Sequence, residues 1–443
     1  MNHSFRLLPV RHRLLQSRFV LGALVASAFA TVHPLAVAQT AVNLPILTLE
    51  RALQIAQQRS AGLIAQDAAA ASARSMAIAA GQLPDPTLNV GLTNLPVTGP
   101  DQFSVARDFM TMRSIGIAQQ FTRASKRQAR AAGFEREARA AEASRELALA
   151  NLQRDTALAW LDRYYDERVG DLITGQGQEA KLQIDAAEAA FRASRGAQAD
   201  VFAARSALAQ IEDRIAQSER DVATARTQLA RWVGAAAEDP LGPLPGLQTV
   251  SLRPQDLETA LVHHPQIAVM LEQEAVARAQ ADAARADKRP DVSVELMYSQ
   301  RGSAYSNMVS INFSIPLQWD QRHRQDQELA AKLALVEKLR AEREEETRMH
   351  VAEDLAMLQH WRSDFERLQR YDASLLPLAA DRIDAAVAAY RGGTGSLTAV
   401  LEARRSQIDT RLERIRLEQE AARLWAQLNF LVPAGHGAAE SPQ

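Results

Sequence analysis

The sequence predicts a mainly α chain with a small β part, built from one structural plan used twice. Three observations lead to it. Short segments alternate between apolar and polar residues, such as "TLNVGLTNL" at 87–95 and "VSVELMY" at 292–298, the period of a strand with one apolar face. Long stretches rich in Ala, Arg, Glu and Leu run without proline, among them Thr122 to about Ala190. Four motifs also recur in the same order. "LERAL" (49–53) returns as "LETAL" (257–261), "LPDPTLNVGL" (83–92) as "RPDVSVELMY" (289–298), "IAQQFTRASKR" (117–127) as "FSIPLQWDQRH" (313–323), and "AFRASRGAQADVFAAR" (190–205) as "AYRGGTGSLTAVLEAR" (389–404). The offsets are 208, 206, 196 and 199 residues. One such match could arise by chance in Ala-rich helices, whereas four in one order read as an internal duplication.

At the N-terminus, Arg6, Arg11, Arg13 and Arg18 lead into the apolar run "FVLGALVASAFA" (19–30), with an A-x-A site at 36–38. A basic region, a short apolar core and a small-residue site make residues 1–38 a secretory signal peptide. A second A-x-A at 28–30 leaves the cleavage point open. A retained anchor is the alternative, but the apolar run is shorter than the roughly 20 residues that span a bilayer as a helix. Residues 39–234 then form a first helix–hairpin–helix–helix repeat, 235–256 a linker, and 257–432 the second repeat. The tail 433–443, "PAGHGAAESPQ", has no pattern and is expected to be disordered.

Within the first repeat a helix is expected from about Leu49 to Ala80, ending before Pro84 and Pro86. Strands follow at Thr87–Leu95 and Ser114–Phe121, then a helix to about Ala190 that Gly170, Gly175 and Gly177 are placed to bend or break. The second repeat has strands around Val292–Tyr298 and Val309–Ile315, then a helix from Asp320 to about Tyr390 that Pro377 should kink. Leu401, Ile408, Ile415 and Ala422 recur every seven residues with Leu412 beside them, and Leu329, Leu333, Val336 and Leu339 form a similar stripe. Such seams predict coiled-coil packing. The glycine-containing turns "RASRGAQ" (192–198) and "RGGTGS" (391–396) join the paired helices.

Composition narrows the function. There is no Cys, so disulfides and thiolate metal sites are excluded. Loss of residues 1–38 removes four Arg and no acid, taking the formal charge from −2 to −2 − 4 = −6, which is no footprint for nucleic acid. If the chain enters a membrane it must do so by strands, and hydrocarbon accepts strands only in a closed barrel. Four strands cannot close one, since bacterial barrels begin at about eight; two chains would supply eight and three would supply twelve.

At this point the chain resembles the TolC-type outer-membrane factors of Gram-negative export systems, over essentially its whole mature length. The segments "LPDPTLNVGLTNLPV" (83–97), "DFMTMRSIGIAQQF" (108–121) and "KR" (126–127) resemble the branch serving heavy-metal efflux by resistance-nodulation-division pumps. The resemblance implies a homotrimer whose four strands per chain make a twelve-strand transmembrane β-barrel in the outer membrane, continued by an α-helical tunnel in the periplasm. It further implies a periplasmic adaptor (membrane fusion) protein and an inner-membrane pump as partners, and a passive duct with heavy-metal cations as cargo. Lipid-anchored members carry a Cys at the mature N-terminus; here that place is Gln39 or nearby, so no lipid anchor is expected.

Site residues follow. Leu88, Val90, Leu92, Ile115, Ile117, Val292, Val294, Leu296, Val309, Ile311 and Phe313 are the lipid-facing positions of the alternating strands. The resemblance places Arg192, Gly196, Arg391 and Gly395 at the periplasmic tip that docks the adaptor, the alternative being that the glycines only make the turn. It also places Asp200 and Glu402 at an acidic entrance, where carboxylates would attract cations. No catalytic, cofactor or metal site is expected, and no G-x-S-x-G, P-loop or H-E-x-x-H motif is present. Glu346, His350 and Asp354 share one helix face and read as a solvated charged face rather than a ligand set or proton relay. His263 and His264 open a helix, and Met110 and Met112 read as packing in the loop between strands rather than as soft-metal ligands. The competing readings are a duct for organic compounds and a periplasmic coiled-coil rod with no channel.

Overall fold

The structure, a computed structural model, describes residues 46–194, 196–250 and 264–432. The expected signal peptide, the tail, His263 and the stretch 251–263 lie outside the described residues. The order of elements is α1 (Leu49–Arg59), α2 (Ala61–Ala80), β1 (Thr87–Thr93), β2 (Met112–Phe121), α3 (Ala124–Arg192) and α4 (Gln198–Val233). The second repeat has α5 (Pro265–Asp287), β3 (Val292–Gln300), β4 (Met308–Ser314), α6 (Gln325–Arg370), α7 (Leu376–Arg391) and α8 (Leu397–Asn429). The fold class is the expected one: long helices, a small sheet and a plan used twice.

Several local expectations change. The first helix is two, because Ser60 sits in extended backbone at ψ 103° and its hydroxyl accepts from the Leu63 N–H at 3.3 Å, capping α2. Conversely, α3 runs unbroken for 69 residues, roughly 100 Å, straight through Gly170, Gly175 and Gly177. Two of these glycines serve close approach. A Cβ on Gly170 would sit 3.0 Å from Ser218 Oγ, and one on Gly177 would sit 3.1 Å from Ile215 Cδ1, both on α4. At Pro377 the expected interruption takes the form of a change in hydrogen-bonding pattern. The missing N–H is absorbed by a π-helical turn at Tyr371–Leu375, after which α7 restarts with the proline in its first turn. The strands shift by a few residues, β2 starting at Met112 rather than Ser114, and α6 begins at Gln325 rather than Asp320.

The main core lies where the two repeats meet around the middle of α3. Trp160, Leu161 and Tyr165 from α3 pack with Leu229 and Val233 of α4, Leu358 and Trp361 of α6, and Ala422, Trp425 and Ala426 of α8. The indole N–H of Trp160 donates to the Leu47 carbonyl at 3.0 Å and that of Trp425 to Thr249 at 3.0 Å, so both buried rings keep a polar partner. The α8 seam is buried at Ile408, Leu412, Ile415 and Ala422. The α6 stripe is not continuous: Val336 is buried, whereas Leu333 is exposed.

The four strands form one antiparallel sheet in the order β1-β2-β3-β4. β2 and β3 belong to different repeats, and their pairing from Arg113↔Gln300 to Phe121↔Val292 fuses the two hairpins. β1 and β4 are left as open edges.

Candidate functional site

The registers sort the strand residues onto two faces. Rows Leu88↔Ile117↔Leu296↔Ile311 and Val90↔Ile115↔Tyr298↔Val309 cross the whole sheet, flanked by Gln119↔Val294↔Phe313 and by Leu92↔Arg113. All eleven positions expected to be lipid-facing therefore lie on a single face. This apolar face is turned outward, with Val90 74% and Phe313 70% exposed. From Phe121↔Val292 to Leu92↔Arg113 there are four two-residue steps. At about 6.8 Å per step and a tilt near 40°, they cover roughly 20 Å along the normal. That approaches the apolar band of about 25 Å on outer-membrane barrels. Beyond β4, Ile315, Leu317 and Trp319 are exposed as well, Trp319 at 87%.

The opposite face is polar: Thr87, Asn89 and Thr93 on β1, Ser114 and Gln120 on β2, Ser293, Glu295 and Ser299 on β3, Ser310, Asn312 and Ser314 on β4. Met112 is the first residue of β2, on this face rather than in the loop, while Met110 remains in the loop and is half exposed.

At the other end of the long helices the two turns meet. Ala187, Val201 and Ala204 of the first repeat pack with Leu397, and with Tyr390 and Leu401 beside it, from the second. The backbones match: Ser194 has φ 56° and its counterpart Gly393 has φ 75°. Gly196 and Gly395 lie where a Cβ would come within 3.2 Å of Ala190 Cβ and 3.0 Å of Ala389 Cβ, so the turn folds directly onto the preceding helix. Arg192 and Arg391 are exposed in the last turns of α3 and α7, where a cation suits the helix C-terminus.

Of the two expected entrance carboxylates, Glu402 is exposed. Asp200 is used locally, its Oδ2 accepting from the Ala197 N–H at 3.1 Å and so tying the start of α4. In the second repeat Ser396 caps α8 instead, accepting from the Ala399 N–H at 3.2 Å.

Two clusters join residues that spacing along one stretch of chain does not bring together. The first is a pocket between α3, α5 and α6. His264 caps α5, its Nδ1 accepting from the Gln266 N–H, and its ring lies 4.5 Å from that of His350 on α6. Arg154, Glu346, Glu353 and Asp354 line the same cavity of about 370 Å³. The expected solvated face is thus corrected: Asp354 is buried and His350 largely so, because α5 and α3 cover that side of α6. No group of three or more ligands is arranged to hold a metal ion among the described residues. Burial first, and His350 second, lower the pKa of His264 to about 4; burial raises that of Asp354 to about 6 against the opposing pull of His350. For His264 the folded state prefers the neutral ring, so stability is lost as pH falls from about 6.5 towards 4. Asp354 works oppositely: its carboxylate is a penalty above about pH 6, relieved on protonation. Asp354→Asn should therefore raise the Tm at pH 7.5 and lose that advantage at pH 4, as thermal unfolding at the two pH values would report.

The second cluster ties sheet to helices. Lys126 at the start of α3 is buried, with its Nζ 3.3 Å from Asp291 and 3.5 Å from Asp287. Asp291 also accepts from the Arg123 N–H at 3.2 Å, and Arg127 donates to the Gly81 carbonyl at 3.1 Å. The α2–β1, β2–α3 and α5–β3 crossings are pinned to one another there.

Comparison with known proteins agrees with this architecture. Residues 257–432 match the family model for outer membrane efflux proteins. No curated protein matches the sequence. Among solved structures, the outer-membrane channel OprN superposes with a TM-score of 0.73 at 18% identity, covering 88% of this chain and 90% of its own. The outer membrane protein VceC from Vibrio cholerae gives 0.71 at 19% identity, over 86% of this chain and 95% of its own. CusC, described in terms of transmembrane channel formation, gives 0.68 at 17% identity, over 87% and 92%. The likeness is to the fold all three share.

Proposed function

We propose that this chain is an outer membrane efflux protein, the outer-membrane channel of a tripartite efflux system, acting as a homotrimer. The observation that carries the reading is the sheet: four strands with an exposed apolar face, a polar face behind it and two open edges, continuous with helices far longer than the strands. In hydrocarbon an unpaired edge costs several kcal/mol per group, so the edges must be closed, and further copies of the same sheet close them. Three copies give the twelve strands of the proposed barrel, with the apolar face to outer-membrane lipid and the polar face to water. The helices then form the periplasmic tunnel. Exposed apolar side chains on them, including Ile64, Ile78, Leu182, Leu271 and Leu378, become contacts between copies.

The paired turns carrying Arg192, Gly196, Arg391 and Gly395 are the surface offered to a periplasmic adaptor, which links the duct to an inner-membrane pump of the resistance-nodulation-division class. Asp200 and Glu402 stand just inside that tip as the acidic entrance. No chemical step is assigned; the duct is passive and its cargo is heavy-metal cations. Two measurements test this. The purified protein should give discrete conductance steps in planar bilayers, and a preparation giving none would rule out a channel. Deletion of the gene should lower tolerance to cobalt, zinc, cadmium, copper or silver; unchanged metal tolerance with new antibiotic sensitivity would replace metals by organic compounds as cargo.

A further inference from the structure

Glu295 is the one ionisable side chain on the polar face of the four strands. Unlike carboxylates elsewhere in the chain that are met by Arg or Lys, such as Asp291 and Glu274, it is held by two neutral amides. Oε1 accepts from Asn89 Nδ2 at 2.7 Å and Oε2 from Asn312 Nδ2 at 3.3 Å. The two amides come from the edge strands β1 and β4, on either side of β3. Asn312 is the direct cross-strand neighbour, but Asn89 must reach across β2. It does so where β2 carries only Gly116 and Ala118, and a Cβ on Gly116 would meet the Leu296 carbonyl at 3.0 Å and Met297 Cα at 3.2 Å.

Two neutral donors orient a carboxylate without cancelling its charge. A cation in the same place would fix it equally well and silence its field. We infer that Glu295 is a cation-selecting residue of the barrel lumen, one per chain, separate from the carboxylates at the periplasmic entrance. The inference rests on the channel reading above, since only barrel closure turns three such residues into a ring facing one aqueous column. A twelve-strand barrel has a backbone diameter of roughly 25 Å, so the carboxylates do not touch each other or strip water from an ion. They act through their summed potential on hydrated cations, and that action is set by screening. The Debye length is about 30 Å at 0.01 M salt and about 3 Å at 1 M, so the three fields overlap at low salt and vanish at high salt.

The test is the reversal potential of single channels in planar bilayers under KCl gradients, using full-length protein. Wild type should favour K⁺ over Cl⁻ near 10 mM, Glu295→Gln should lower that ratio at least about two-fold, and the two should converge near 1 M. Glu295→Lys should lower it further. Asn89→Ala with Asn312→Ala, which loosens the carboxylate but keeps its charge, should retain most of the wild-type preference. A Glu295→Gln channel with the wild-type ratio at low salt overturns the inference and leaves the channel reading intact. Equal loss of selectivity in the Asn pair also overturns it, because the effect would then be structural. Absence of conductance steps from wild type would remove both readings at once.

Discussion

If the proposed barrel forms, Ile117→Arg is expected to destabilise its insertion by about 2–4 kcal/mol per chain, the cost of a cation on a lipid-facing position near the bilayer midplane. Ile117 lies in the central row of the apolar face, with Leu88 on one side and Leu296 on the other, and half of its surface is exposed in a single chain. In water an exposed Ile-to-Arg change would cost almost nothing. The size of the effect therefore reports the solvent against that face. The matched control is Ser310→Arg, on the polar face of β4 and one residue from Ile311, where an aqueous lumen should tolerate it. Urea titration of protein folded in lipid bilayers would measure both, alongside the amount recovered in the outer-membrane fraction. An Ile117→Arg protein that inserts as well as wild type would mean the apolar face meets something other than lipid.

Lys126→Ala should be the most damaging single truncation at the junction of sheet and helices, at about 3–5 kcal/mol. The ammonium is 7% exposed and is the cation between Asp287 and Asp291. Asp287 keeps Arg130 at 3.1 Å, but Asp291 is itself only 13% exposed and would be left buried with neutral donors. Much of the cost is thus an uncompensated buried carboxylate rather than the loss of an attractive pair. Lys126→Ala combined with Asp291→Asn should recover part of the stability, which a simple contact-loss account would not give. Lys338→Ala, breaking an exposed pair with Glu342 on α6, should change the Tm hardly at all. Thermal or urea unfolding of the four proteins decides the matter.

The faces of the strands were legible because a period of two leaves no freedom: once one residue of β3 faces out, Val292, Val294 and Leu296 all do. The heptad seam of α8 was legible for the same reason. The break at Ser60 was hidden because the surrounding Ala-rich pattern continues without a phase change; only the serine's capping role marks it. The glycines of α3 misled in the other direction. Their small size is used sideways, letting α4 approach, and a helix propensity cannot register a neighbour.

The candidate sites divide along the same line. Gly196 and Gly395 could be found by aligning the two repeats, because a tight turn needs a small residue wherever it recurs. The stacking of His264 on His350, the triad of Lys126 with Asp287 and Asp291, and the reach of Asn89 to Glu295 join residues 86 to 206 positions apart. No local period encodes such pairs. The sequence by itself determined the repeat, the element types and the apolar face of every strand, since these follow from side-chain periodicity along one stretch of chain. Tertiary structure alone decided which buried charges are paired and that one carboxylate on the polar face of the sheet is held by amides, because those depend on distances between repeats that only packing sets.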